Sequence, residues 1–221
     1  MDEVKIGIFG GTFNPIHYGH LRAAEEVRER FNLSKIIFIP SKNPPLKTHE
    51  LLESEHRYKM TELAISGDIF FEISDIEFKR QGKSYSVQTL EEMKRIFHDG
   101  ELYFILGIDA FLEVPTWWQP ERLMSLVNFI IIARPSFRFL DLFSSPYIEA
   151  SRNALERLDR GEIESYSMTL KSKKVVFAAR MPLLDISSTE IRRRIKEDKS
   201  IKYLLPESVE SYIIANKLYK S

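Results

Sequence analysis

Residues 4–20 read VKIGIFGGTFNPIHYGH, and this stretch decides the fold. Val4 to Phe9 alternates, is rich in β-branched residues and runs into Gly10-Gly11, which predicts a strand ended by a tight turn. His17 to Phe31 then sets Leu21, Ala24, Val27 and Phe31 at helical spacing. Ile36-Ile37-Phe38-Ile39, closed by Pro40, predicts a buried strand. Strand, helix and strand together span about 35 residues, the size of a right-handed βαβ crossover.

The alternation continues outward. Pro40 to Lys47 reads as a loop carrying Pro44-Pro45, and Ser54 to Ser66 as a helix with Met60, Leu63 and Ala64 inward. Phe70 to Phe78 reads as a strand, and Val87, Leu90, Met93 and Phe97 mark a helix ended near Gly100. Leu102 to Leu106, Phe129 to Ala133 (stopped by Pro135) and Lys174 to Phe177 read as strands. Ser188 to Lys196 and Glu207 to Tyr219 read as the last helices. This order implies an α/β fold, a Rossmann-like parallel sheet with helices on both faces. It is expected to form a single domain over residues 1–221 with a helical C-terminal part. Residues 136–169 break the rhythm, look helical around Ile148 to Leu158, and are expected to be a helical insertion.

Composition narrows the function. Apolar residues make up 43% of the 221-residue chain and aromatics 12%, which excludes disorder as the main state. Lys plus Arg is 32 and Asp plus Glu is 32, a balance that argues against a nucleic-acid partner held by global charge. The absence of cysteine excludes a disulfide scaffold, a zinc ribbon, an iron–sulfur protein and a Cys nucleophile. The acidic start and the short run from Val4 to Phe9 predict no signal peptide, and Phe129 to Ala133 is far below membrane-spanning length. A cytoplasmic protein with no membrane partner is expected.

In an open α/β sheet, ligands bind beyond the carboxyl ends of the strands. Gly10 and Gly11 stand at the first such end and allow close ligand approach, and backbone N–H groups at the following helix N-terminus form an anion site. His17 and His20 are three residues apart, so they share one helix face, and Gly19 leaves room above it. A lone Gly-Gly is usually a turn and one histidine usually a core or surface residue; strand, Gly-Gly, Pro and paired His together are much rarer. Other phosphate and metal motifs fail: Gly82-Lys83-Ser84 imitates the end of a P-loop, but the required glycine is Glu77. His49-Glu50 would open a zinc-protease motif, but Glu53 replaces the second His. Near the other end, Ser188 and Thr189 can cap a helix with Arg192 one turn further on, while Arg193 and Arg194 read as its solvated face. Met168 to Lys202 carries ten Lys/Arg against four Asp/Glu, a locally basic segment. Lys42 and Lys47 flank the proline-stiffened loop, either to neutralise phosphates or as solvated lysines. Asp109 follows a strand and Gly107, where a carboxylate can accept ribose hydroxyls or cap a helix.

GGTFNPIHYGH, residues 10–20, resembles the H-x-G-H signature of the nucleotidyltransferase superfamily, and ISSTEIR, residues 186–192, resembles its second phosphate motif. Finer segments resemble one family, bacterial nicotinate-mononucleotide adenylyltransferase. They are PSKNPPLK (40–47), Arg57, SYSVQTL (84–90), LGID (106–109), PTWW (115–118) and ARP (133–135). The likeness covers about residues 4–135 and 175–215; the family often has His where Leu46 stands.

The resemblance implies an enzyme of NAD biosynthesis. ATP and nicotinate mononucleotide would give nicotinate adenine dinucleotide and pyrophosphate, with Mg²⁺ arriving on ATP and no dedicated protein metal cage. The attacking phosphate, with a second pKa near ~6, is mostly dianionic and needs no general base. The protein's task is to align two anions and stabilise charge on the α-phosphate and leaving group. By resemblance His17, His20 and Arg192 are catalytic. Gly10, Gly11, Thr12, Phe13, Lys42, Lys47, Gly107, Asp109, Arg134, Ser188 and Thr189 would bind ATP. Asn14, Ser86, Thr89, Trp117 and Trp118 would bind the mononucleotide, Trp117 by stacking on the pyridine and Ser86 and Trp118 by backbone N–H groups to its carboxylate. Length and the Pro115–Trp118 segment disfavour a phosphopantetheine adenylyltransferase or cytidylyltransferase, and intact His17, His20 and Arg192 disfavour a non-catalytic nucleotide sensor.

Overall fold

A computed structural model describes residues 4–45, 50–134, 136–182 and 184–220. Its strands are β1 (Val4–Gly11), β2 (Lys35–Pro40), β3 (Phe71–Ile73), β4 (Gly100–Gly107), β5 (Asn128–Ile132), β6 (Ser165–Thr169) and β7 (Val175–Ala179). They form one sheet in the order β3-β2-β1-β4-β5-β7-β6. The chain runs outward from β1 to β3, then returns to the other side of β1 with β4. β1 pairs parallel with both neighbours, Gly7 opposite Ile36 and Ile6 opposite Leu102. The strand order therefore reverses at β1, and a crevice opens at the carboxyl ends of β1 and β4.

The helices are α1 (Tyr18–Arg30), α2 (Ser54–Ile65), α3 (Ser86–Ile96), α4 (Ile108–Glu113), α5 (Pro120–Leu126), α6 (Arg152–Arg160), α7 (Ser188–Lys196) and α8 (Glu207–Ala215). Strand alternation divides the core into two layers. Ile8, Ile37, Phe104 and Phe129 face one way, against Leu90 and Met93 of α3, Phe111 of α4, Leu123 of α5 and Leu155 of α6. Phe9, Phe38, Ile105 and Ile130 face the other way, against Val27 of α1, Met60 of α2, Ile191 of α7 and Val209 of α8. Because the central strands are covered on both faces, they read as continuous apolar runs in the sequence.

Three expectations are corrected. The strand read from Phe70 to Phe78 shrinks to Phe71–Ile73, because the chain turns at Asp75, whose carbonyl accepts from Phe78 N–H at 2.8 Å, and carries Glu77 inward. The sheet is not wholly parallel, because β6 runs antiparallel to β7, with Ser165 opposite Ala179 and Thr169 opposite Val175. The 136–169 segment is correspondingly not all helical: a 3₁₀ turn at Phe139–Ser144 and α6 are followed by β6. β6 is an edge strand whose outward positions are Ser165, Ser167 and Thr169, with Met168 its buried residue, so its hydrophobic signal is faint. α4 and α5 also escaped the sequence reading; both are short, at six and seven residues.

Candidate active site

A cavity of about 1120 Å³ occupies the crevice at the ends of β1 and β4. Gly10 to Asn14, His17, His20, Gly107, Asp109, Arg134, Ser188, Thr189 and Arg192 line it, as do Ser86, Trp117 and Trp118. The two motifs, nearly at opposite ends of the chain, thus meet in one space. Ser188 Oγ donates to the Pro15 carbonyl at 2.8 Å and Arg192 Nη1 to the Asn14 carbonyl at 2.9 Å, which ties α7 to the turn after β1. Ser187 caps α7, accepting the Glu190 N–H at 3.1 Å, and aims the positive end of the helix at the crevice.

His17 precedes the first turn of α1 and is 2% exposed. Its N–H donates to His20 Nδ1 at 3.3 Å, and the two rings lie 3.8 Å apart at 32°. That bond leaves the Nε2 of a neutral His20 as its protonated nitrogen, a donor. A Cβ at position 19 would come within 3.0 Å of the His17 ring, which is why glycine stands there. Burial, and secondarily the Arg134 charge, lowers the His17 pKa from 6.5 to about 3. His17 is therefore a neutral hydrogen-bonding group near neutral pH. At the end of β4, Asp109 Oδ1 faces Arg134 Nε at 3.5 Å, an ion pair too long to be a hydrogen bond. A Cβ on Gly107 would come within 2.3 Å of that oxygen.

Among the described residues, the buried side-chain polar atoms without a hydrogen-bond partner are His17 Nδ1, Asp109 Oδ1 and Arg192 Nε. All three belong to residues lining the same cavity. An unpaired buried polar atom costs about 1–3 kcal/mol, so a cluster of them marks a place built to receive polar groups from outside.

Other sequence-derived candidates sit differently. Asn14 lines the cavity, but its Nδ2 donates to the Glu50 carbonyl at 2.8 Å and its Oδ1 accepts from the Tyr219 hydroxyl at 2.9 Å. Lys42 is not among the lining residues; its ammonium donates to the carbonyls of Phe78 and Arg80 at 3.2 and 3.1 Å. Thr89 is buried behind the cavity, donating to Glu77 Oε1 at 2.7 Å and accepting from Arg80 Nη2 at 2.6 Å. Lys47 lies outside the described residues, as do Leu46, His49 and Pro135. Arg193 and Arg194 pair with Glu190, and Arg193 also with Glu197, on the solvated face of α7.

Two supporting residues had no role readable in the sequence, although Arg57 belongs to the family likeness. Arg57 is fully buried and donates to the carbonyls of Thr12, Lys42 and Leu52 at 2.8, 3.0 and 2.9 Å, stitching the glycine turn to the proline loop. Glu77, visible in the sequence only as the residue that spoils a P-loop, accepts the Lys42 N–H at 3.2 Å and the Thr89 hydroxyl. Trp118 is 44% exposed and rests on Tyr85 with ring centroids 4.8 Å apart, while Trp117 packs partly against the core.

The cytidylyltransferase-like family profile matches residues 8–194. A protein of Thermoanaerobacter sp. (strain X514) named "Probable nicotinate-nucleotide adenylyltransferase" is 42% identical over 220 residues, 99% of this chain and 95% of that one. A protein of the same name from Desulfitobacterium hafniense (strain Y51) is 45% identical over 217 residues, 98% of this chain and 96% of that one. Among solved structures, Plasmodium falciparum nicotinic acid mononucleotide adenylyltransferase complexed with NaAD superposes with a TM-score of 0.73 at 22% identity, covering 98% of each chain.

Proposed function

The chain belongs to the cytidylyltransferase-like family, and within it to the nicotinate-nucleotide adenylyltransferases. We infer that it transfers the adenylyl group of ATP to nicotinate mononucleotide, giving nicotinate adenine dinucleotide and pyrophosphate in NAD biosynthesis. The observation that carries this reading is the convergence of His17, Arg192 and Asp109, each with an unpartnered buried polar atom, in one strand-end cavity.

In the reaction a phosphate oxygen of the mononucleotide attacks the α-phosphorus of ATP, and the bond from that phosphorus to the bridging oxygen breaks. The entire residue set sits within one catalytic domain. His17 and His20 donate to α-phosphate oxygens as charge builds, and backbone N–H groups from Gly10 to Phe13 assist. Arg192 and the first turn of α7, with Ser188 and Thr189, hold the leaving pyrophosphate, where a helix N-terminus and a guanidinium favour concentrated negative charge. Asp109 accepts ribose hydroxyls beside Gly107, with Arg134 next to it. Trp117 stacks on the pyridine, and the backbone N–H groups of Ser86 and Trp118 receive its carboxylate. Asn14, Thr89 and Lys42 support the site by holding its walls in place. Lys47 is assigned to ATP by resemblance alone.

ATP enters as its Mg²⁺ complex, the ion held by phosphate oxygens and water. Among the described residues, no group of three or more His, Cys, Asp or Glu could hold a metal ion. No described helix is long and apolar enough to cross a membrane, and both substrates are small molecules.

The test is pyrophosphate release from ATP with nicotinate mononucleotide, nicotinamide mononucleotide and phosphopantetheine offered in turn. Turnover is expected with the first at the highest kcat/KM. Release driven instead by phosphopantetheine, or by none of the three, overturns the assignment.

A further inference from the structure

Glu50 places a carboxylate against the cations of α7. Its Oε1 lies 2.6 Å from Lys196 Nζ and its Oε2 3.5 Å from Arg192 Nη2. Lys196 follows Arg192 by four residues, so both cations stand on one face of the helix. The two oxygens of Glu50 thus bridge two cations, as the oxygens of a phosphate would. The first turn of that helix borders the cavity, and Arg192 lines it. The backbone of Glu50 is held separately, its carbonyl accepting from Asn14 Nδ2 at 2.8 Å, so the side chain can leave without freeing the chain around it.

The pairing is exchangeable. The side chains of Glu50 and Lys196 are 54% and 39% exposed, and solvent-exposed ion pairs hold weakly. Lys196 and Arg192 both favour the ionised carboxylate and hold its pKa below the ordinary value. A pyrophosphate carries more charge than one carboxylate and competes for the same donors.

We propose that Lys196 is a further pyrophosphate-binding residue, and that Glu50 occupies Arg192 and Lys196 until the β- and γ-phosphates of ATP displace it. The proposal rests on the reading of this cavity as an ATP site. Occupancy by an internal anion lowers apparent affinity by the fraction of time the cations are taken, so removing the anion should tighten anion binding.

Calorimetry with inorganic pyrophosphate tests it, on wild type, Glu50→Gln, Glu50→Gln/Lys196→Gln and Glu50→Gln/Lys196→Arg. Glu190→Gln serves as a control that removes the same charge from the solvated face of α7. Glu50→Gln should tighten pyrophosphate by about 2–6-fold, the range for displacing a partly occupied exposed pair. It should lower the KM for ATP in step and leave the mononucleotide KM unchanged. Adding Lys196→Gln should reverse the gain, and Lys196→Arg should keep it. The proposal is overturned if Glu50→Gln leaves pyrophosphate affinity unchanged or weakens it, or if Glu190→Gln tightens it equally. It is overturned for Lys196 if Lys196→Gln is silent in the Glu50→Gln background. Normal wild-type turnover alongside a silent Glu50→Gln sinks this inference alone, whereas absent wild-type turnover removes the functional reading and this inference together.

Discussion

Two regions at the cavity, one lining it and one mostly behind its wall, treat their polar groups in opposite ways. At the junction of β1, α1 and α7, His17 and Arg192 keep buried polar atoms unpartnered, and Asp109 at the end of β4 does the same. At the junction of α3 with the loop after β2, Lys42, Thr89, Glu77 and Arg80 are bonded to one another or to backbone carbonyls. On the reading proposed above, the first region keeps polar groups in reserve for ATP, those of His17 and Arg192 for its phosphates and the Asp109 oxygen for its ribose. The second spends its polar side chains on one another and on backbone carbonyls, and on the same reading aromatic surface and main-chain N–H groups meet the other ligand. A highly charged ligand calls for aimed donors, while a flat ring with one substituent calls for a flat wall.

The contrast breaks most sharply at the histidines. His20→Ala should fold normally and lower kcat at saturating substrates by about 10²–10³, the effect of losing one charge-stabilising donor. His17→Ala should do as much or more. Near-normal turnover by either variant would show that the histidine removed is not used in the reaction. Arg192→Ala should come next, losing roughly 10–100-fold in kcat/KM for ATP from a charge-assisted hydrogen bond of about 1.5–3 kcal/mol. If it raised only the mononucleotide KM, the second phosphate motif would belong to the other substrate.

Trp117→Ala should raise the mononucleotide KM by about 10-fold, from a stacking loss of about 1–3 kcal/mol, with ATP little affected. Trp118→Phe should be nearly silent, because a phenyl ring can still rest on Tyr85. With two tryptophans in the chain, fluorescence checks the choice: the mononucleotide should quench wild type and Trp118→Phe but not Trp117→Phe. The reverse pattern assigns the ring to Trp118.

Thr89→Val sharpens the comparison from its other side. It removes the hydroxyl that donates to Glu77, so it should act on stability, by about 1–3 kcal/mol. In a chain of this size that is a Tm loss of about 3–10 °C. A large change in mononucleotide KM at unchanged Tm would instead place Thr89 in contact with substrate. The last effect concerns pH and is seen only on acidification. The folded chain refuses a proton at His17 until about pH 3, while the unfolded chain takes it near 6.5, so this burial destabilises the fold as pH drops through that interval. The slope from this one group is at most about 1.4 kcal/mol per pH unit, and His17→Gln should flatten an acid-unfolding profile by one proton.

Much of the site was readable because its chemistry depends on residue type and close spacing. Gly10-Gly11, His17-x-Gly19-His20 and Ser188-Thr189-x-x-Arg192 each make one local structure, and local structure leaves a pattern in the chain. Asn14, Lys42 and Thr89 were readable as candidates, but the hydrogen bonds that hold them were not. Their partners are Tyr219, the Phe78 and Arg80 carbonyls and Glu77, and no spacing rule links those positions. Glu50 opposite Lys196 was invisible for the same reason, being a contact across 146 residues.

By itself the sequence determined the alternating α/β order, the buried runs of β1, β2, β4 and β5 and the two phosphate motifs, because helix and strand periodicity and turn chemistry act over a few residues. The tertiary structure alone decided that β6 returns antiparallel, that Glu77 turns inward, and which polar groups are spent inside the fold and which remain for ligand. Those outcomes depend on which distant groups share a low-dielectric interior. There every polar atom must find a partner or be left waiting for one, and only the assembled chain settles which.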